Sequence, residues 1–247
     1  TATTEIYTLS LHDALPIWIL FDTGMGNKQD ARFFSFRHRF GENTLTGELA
    51  KAGYQPEDIT DVVFTHLHYD HCGGASHWDE TKSKALRTFP NAIYHVSQQQ
   101  AAWALNPNKR EAASYLPENL EPVFHGGALN YIMQDGEFAE NISFRLYSGH
   151  TAGQIIPFLK RDGQTFVFLA DFIASTAHIP LVYIPAYDIQ PLLTLQEKES
   201  FLDEASAEGY ILIFQHDYYS EAARVAKGPK GYFALHKGTL KEIDDWV

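Results

Sequence analysis

Thr65-His66-Leu67-His68-Tyr69-Asp70-His71-Cys72-Gly73-Gly74 packs three histidines and an aspartate into six residues, in the pattern H-x-H-x-D-H. Imidazole nitrogens and a carboxylate are the donors that zinc and its neighbours take. The apolar run Asp61-Val62-Val63-Phe64 reads as a strand that delivers the cluster, and Gly73 and Gly74 give the backbone freedom to fold it round an ion. Partner ligands appear downstream, each after an apolar run. His150, in Ser148-Gly149-His150-Thr151-Ala152-Gly153-Gln154, follows the run 142–147; Asp171 follows 165–170; His216 follows 210–214. Any one of them alone reads as a hydrogen-bonded loop residue. Together they make four strand ends carrying ligand-type side chains, which is what a metal pocket at a sheet edge needs.

These motifs resemble the metallo-β-lactamase superfamily of hydrolases: the H-x-H-x-D-H run, the G-H-T-x-G-Q segment, Asp171, His216 and the early turn Asp22-Thr23-Gly24. The resemblance spans residues 18–247. It implies an α/β (α+β) fold, an αββα sandwich of two mixed sheets with helices outside. It implies two metals, with His66, His68 and His150 on one, Asp70, His71 and His216 on the other, and Asp171 bridging. Zinc is the expected pair, with manganese, cobalt or iron also accepted by such donors. Asp22 is expected to support the site without ligating. The chemistry implied is a bridging hydroxide attacking an ester-like centre, with Asp70 taking the proton. No serine nucleophile is needed, and Ser148 lacks the G-x-S-x-G elbow.

Within the superfamily, H-L-H-Y-D-H-C-G-G looks most like the quorum-quenching N-acyl-homoserine lactonases. The segments 53–58 and 207–210 look similar to the related organophosphate and aryl-ester hydrolases. Those lactonases place a tyrosine three residues after the bridging aspartate; here Ala174 stands there. His178, Tyr183 or Tyr187 are the candidate replacement donors, against the plainer reading of ordinary loop residues. An apolar pocket is expected from Phe33, Phe34, Phe36, Trp103, Phe172, Ile173, Tyr183 and Tyr187, and it would suit acyl or aryl groups. The expected substrate is thus a small lactone or carboxylic ester, with phosphotriester or aryl-ester hydrolysis next, then a glyoxalase-type thioesterase or a β-lactamase. A metal-binding member without activity is the reading from outside enzymes, and such members usually lose ligands that are all present here.

Composition sets the bounds. The 247 residues are 45% hydrophobic with a net charge of −12. That is enough chain for one large core, and its charge argues against nucleic acid or an anionic membrane as partner. A homodimer is left open. The single cysteine, Cys72, excludes a disulfide framework and reads as a small buried residue. Residues 1–17 resemble a continuous translation of a short-read sequencing adapter, so they are read as an assembly artefact from environmental DNA, and His12-Asp13 is not taken as a catalytic pair. The natural start, a first strand or a leader is then missing; localisation stays unknown, leaning to the cytoplasm. Residues 18–247 are expected to form one domain.

Along that domain, residues 18–21 read as a strand. Residues 30–40, with four phenylalanines among three arginines, read either as a core-packing helix or loop or as an aromatic flap over the site. Residues 43–53 read as a helix capped by Asn43, and 91–96 as a strand followed by a helix to residue 105. Residues 76–90 read as polar loop, and 106–127, with three prolines, as an irregular substrate-side insertion. A hairpin is expected at Arg161-Asp162-Gly163, an amphipathic helix over 194–208 ended by Gly209, and a last helix over 239–246.

Overall fold

The computed structural model describes residues 6–9, 17–39, 41 and 43–246, with backbone alone for 6–9 and 244–246. It divides into two compact units, Thr4–Val96 with Ala101–Ile132, and Ser97–Gln100 with Met133 onward. Each is an α/β unit with its own buried core. Among the described residues no helix is long and apolar enough to cross a membrane.

The first unit holds β1 (Ile6–Leu9), β2 (Ile17–Phe21), β3 (Asp61–Val63), the hairpin β4 (Ser76–Trp78) and β5 (Ala85–Arg87), β6 (Ile93–Ser97) and β7 (Leu129–Ile132). The main sheet runs β1-β2-β3-β6-β7. Strands β2, β3 and β6 are parallel, with Phe21 beside Val63 and Val63 beside His95. Parallel strands covered on both faces read as unbroken apolar runs, and Leu20, Phe21, Val62, Val63 and Phe64 are all fully buried. In such sheets function gathers outside the carboxyl ends of the strands. Here those ends carry Asp22 and the His66 cluster.

The helices of this unit are α1 (Ala31–Ser35), α2 (Leu45–Lys51), α3 (Tyr69–Cys72), α4 (Gln98–Leu105) from Ala101 onward, and α5 (Pro117–His125). Several expectations are corrected. The cap of α2 is Thr44, whose hydroxyl accepts from Gly47 N at 3.1 Å, not Asn43. The stretch read as polar loop contains β4 and β5, because Asp79 folds the turn by accepting from Ser83 N at 2.8 Å and Lys84 N at 3.2 Å. The prolines of 106–127 do not prevent α5. Pro117 sits at its first turn, where no N–H is needed. Pro122 lies inside the helix, and the carbonyl it cannot serve, Glu118 O, has Ser76 Oγ at 3.5 Å. Arg87 then closes the far end, donating to Pro122 O (2.9 Å), Val123 O (2.8 Å) and Ala128 O (2.8 Å).

The second unit is a seven-stranded mixed sheet. In chain order it holds β8 (Gly136–Ala139), β9 (Ile142–Tyr147), β10 (Gln154–Arg161), β11 (Gln164–Phe168), β12 (Ile211–Ile213), β13 (Ala222–Gly228) and β14 (Gly231–Gly238). The predicted hairpin joins β10 to β11, with Asp162 and Gly163 at φ 51° and 76°, as a two-residue type I′ turn requires. One long helix, α6 (Pro191–Glu208), starts three residues earlier than read, at Pro191, and ends as read at left-handed Gly209. The β13–β14 hairpin had no counterpart in the sequence reading. The last segment, Leu240–Trp246, is 3₁₀ rather than α-helical.

Of the segment read as adapter-derived, Ile6–Leu9 pairs antiparallel with β2. Residues 1–5 and 10–16, His12-Asp13 among them, lie outside the described residues.

Arg87 is 8% exposed and bonds three carbonyls around the end of α5. Arg87→Met leaves those acceptors without their donor, and urea unfolding is expected to show a loss of roughly 2–4 kcal/mol with an unchanged m-value.

Candidate metal centre

In the first unit, Asp22 stands one residue past β2 in a left-handed conformation, φ 56°. Its buried carboxylate accepts from Thr65 N (2.8 Å) and Thr65 Oγ1 (2.7 Å), and it meets His71 Nδ1 at 2.8 Å. Thr23 N and Thr23 Oγ1 both donate to His71 O, at 2.7 and 2.9 Å. The turn after β2 thus grips both ends of the histidine cluster. Lys28 adds bonds from its ammonium to Gly73 O and Ser76 O, and burial draws its pKa down to about 8. Gly73 has ordinary helical backbone, φ −62°. Glycine is needed at 73 and 74 for space, because a Cβ would overlap the carbonyls of Met25 and Thr23.

Each histidine ring here is tied through one nitrogen. His66 Nδ1 meets Thr65 Oγ1 at 3.0 Å, His71 Nδ1 meets Asp22, and His68 Nε2 meets Glu111 Oε1 at 3.1 Å. That arrangement turns His66 Nε2 toward His68 Nδ1, 3.0 Å away. Two donors on a tetrahedral ion at about 2.0–2.1 Å stand about 3.3 Å apart, so the pair is close to ligand spacing. His71 Nε2 lies 3.8 Å from Asp70 Oδ2. His66, His68 and His71 are buried, whereas Asp70 is half-buried.

The second unit supplies the rest by strand register. Strands β11 and β12 are parallel with Phe168 beside Ile213. Three residues further on, Asp171 and His216 fall side by side, with His216 Nε2 2.8 Å from Asp171 Oδ1. His150 sits in the β9–β10 loop. Its Nδ1 meets buried Asp188 at 3.0 Å, and its Nε2 lies 3.3 Å from Asp171 Oδ2. Helix α6 holds this loop. Glu197 accepts from Ser148 N (2.8 Å) and Gly149 N (2.9 Å), and Thr194 Oγ1 donates to Asp188 (2.8 Å). Lys198 donates to the carbonyls of Pro180, Leu181 and Tyr183 at 2.8–3.1 Å. Asp217 ties the two ligand loops together by accepting from Thr176 N (2.8 Å) and Thr176 Oγ1 (2.6 Å).

The other candidate residues divide. His178 is half-buried, with Nδ1 2.8 Å from Ser175 Oγ, and burial, helped by Lys198, lowers its pKa. Tyr183 and Tyr187 are exposed, and the Tyr187 ring packs edge-on to His150 at 5.6 Å. Phe33 packs on Tyr69 at 5.2 Å with the Arg37 guanidinium over both rings. None of Phe33, Phe34 or Phe36 is buried, and Phe36 is 69% exposed. The segment is helical over α1, which packs Phe33 on Tyr69 and buries no side chain fully. Two pocket expectations are corrected. Phe172 and Ile173 are 1% exposed and belong to the second unit's core, where Phe172 stacks on Tyr147. Trp103 packs against the first unit's core and points its indole N–H at Glu111. The sequence reading missed Glu111, Asp188 and Glu197. All three act across long chain separations, and nothing local distinguishes them from surface acids.

A family model described as the metallo-beta-lactamase superfamily matches residues 17–216, which include all seven ligand-type residues. An N-acyl homoserine lactonase of Bacillus thuringiensis is 23% identical over 229 residues, covering 84% of this chain and 83% of that protein. Among solved structures, a probable metal-dependent hydrolase from Staphylococcus aureus superposes with TM-score 0.78 at 25% identity, over 89% of this chain and 78% of that one. AidC, a dizinc quorum-quenching lactonase, superposes with TM-score 0.73 at 21% identity, over 93% and 78%.

Burial draws the Lys198 pKa from its ordinary 10.5 to about 8. Between those values the unfolded chain holds a proton that the folded chain has released, so stability rises with pH across that window. In Lys198→Met that rise is expected to be shallower, with Lys28 still contributing its share; thermal unfolding at pH 8, 9 and 10 reads the slope.

Proposed function

Because this chain belongs to the metallo-β-lactamase superfamily of metallo-hydrolases, we propose that it is a dinuclear-metal hydrolase that opens a small lactone or carboxylic ester. The observation that carries this reading is the fixed set of ring nitrogens. In each unit a carboxylate or hydroxyl holds one nitrogen of a histidine, and the other nitrogen is turned toward a second ligand-type atom. Such outer partners set tautomer and orientation in metal sites. In this reading His66, His68 and His150 would hold one ion and Asp70, His71 and His216 the other, with Asp171 available to both and zinc the expected metal. When bound, the ions supply Lewis acidity to the substrate carbonyl and bring the pKa of a water toward neutrality.

The chain's own groups do the rest. Asp70, the half-buried carboxylate of the cluster, accepts the proton of the attacking water. Ala174 is 2% exposed and offers no hydroxyl. Protonation of the leaving alkoxide therefore falls to His178, whose ring is anchored by Ser175, or to the phenol of Tyr183. The exposed aromatics Phe36, Tyr183 and Tyr187 suit an acyl or aryl substituent. The same Ala174 favours a second reading, hydrolysis of aryl esters or phosphotriesters, whose better leaving groups need no proton donor.

A panel on metal-loaded protein separates these readings: a long-chain acyl-homoserine lactone, an aryl ester, a phosphotriester and a β-lactam. The first reading expects lactone opening that is abolished in His66→Ala/Asp70→Ala and by chelation, and reduced at least tenfold in kcat by His178→Ala or Tyr183→Phe. Aryl-ester or phosphotriester turnover without lactone opening selects the second. Activity unaffected by chelation and by the double substitution sinks both.

A further inference from the structure

Glu111 lies in the loop between α4 and α5 and is 4% exposed. Four donors surround its carboxylate. His68 Nε2 (3.1 Å) and Tyr115 OH (3.4 Å) face Oε1, while Trp103 Nε1 (2.7 Å) and Asn108 Nδ2 (3.1 Å) face Oε2. A carboxylate is costly to bury unless its oxygens are paired, and this one is paired on both. The loop is built round it: Asn108 Oδ1 also accepts from Glu111 N at 3.1 Å. Three of these partners, Tyr115, Trp103 and Asn108, lie outside the H-x-H-x-D-H motif. The fourth is a histidine of the H-x-H-x-D-H motif.

His68 also differs from His66, His71 and His150. His66, His71 and His150 are tied at Nδ1, whereas His68 is tied at Nε2 and turns Nδ1 toward His66 Nε2. A neutral imidazole carries one proton, and a neighbouring carboxylate draws that proton to the nitrogen it faces. We propose that Glu111 is a positioning residue for metal binding: it keeps the His68 proton on Nε2, leaves the Nδ1 lone pair as the donor, and strengthens that donor with its charge. This rests on the assignment of His68 as a ligand made above. In that assignment His68 shares its ion with His66 and His150, while Asp22 backs His71 on the other, so the effect of Glu111 falls on one ion of the two.

The test is a zinc titration of the apo-protein against a chromophoric chelator, with apo melting temperature as the fold control. Glu111→Gln is expected to weaken one of the two ions by roughly 10–100-fold and to leave the other within about twofold. Trp103→Phe, which keeps the carboxylate but removes one donor, is expected to shift the same ion by less. Nitrogen-15 NMR of the zinc-loaded wild type is expected to show the His68 proton on Nε2. Unchanged affinity for both ions in Glu111→Gln, or equal weakening of both, overturns the role of Glu111 and leaves the hydrolase reading standing. A wild type that binds no zinc brings both down. Should Glu111→Gln fail to fold, the tautomer decides: a His68 proton on Nδ1 overturns the proposal.

Discussion

The carboxylate of Asp22 is the contact on which the first unit's histidine cluster depends. It is buried to 1% and bonded to three atoms of the segment 65–71. A buried carboxylate left unpaired costs several kcal/mol. The chain between β3 and α3 is therefore confined to the conformation that satisfies it. Parallel pairing of β2 with β3 makes this possible, because Phe21 beside Val63 brings the residue after each strand within reach of the other. The left-handed backbone at Asp22 follows from the same requirement, since it turns the side chain back under the loop.

The second unit reaches a comparable result by different means. Its ligand loops are held from one face of α6, where Thr194, Glu197 and Lys198 lie one turn apart or less and reach Asp188, the 148–149 amides and the 180–183 carbonyls. A rigid helix spaces its contacts at fixed intervals, so the β9–β10 loop and the connection that precedes the helix are both referenced to one rod. Asp217 then couples the Asp171 loop to the His216 loop without the helix.

This division explains what the sequence made legible. The seven ligand-type residues, the strand before each and the end of α6 at Gly209 follow local rules of spacing, periodicity and turn chemistry. The residues that orient them do not. Glu111 reaches His68 across 43 residues and Asp188 reaches His150 across 38. Each is a lone acid in an irregular stretch, and the proline-rich composition of 106–127 argued for a loop on the substrate side. In the structure the same stretch carries α5 and the buried acid behind His68. Phe172 and Ile173 misled for the opposite reason. Adjacent to Asp171 in sequence, they are buried in the second unit's core, where the chain turns with Phe172 N donating to Leu169 O at 2.9 Å.

The charge arrangement gives the last constraint. The first unit sets Asp22, Asp70 and Glu111 against His66, His68 and His71, and the second sets Asp171 and Asp188 against His150 and His216. Three carboxylates thus face ring nitrogens in the first unit and two do so in the second. Packing does not explain why a chain would gather acids behind histidines in this way, since apolar residues of the same volume would stabilise the core better. A divalent cation does explain it: the acids become countercharge, the imidazoles become neutral donors, and the cost of assembling the centre is offset by what it binds.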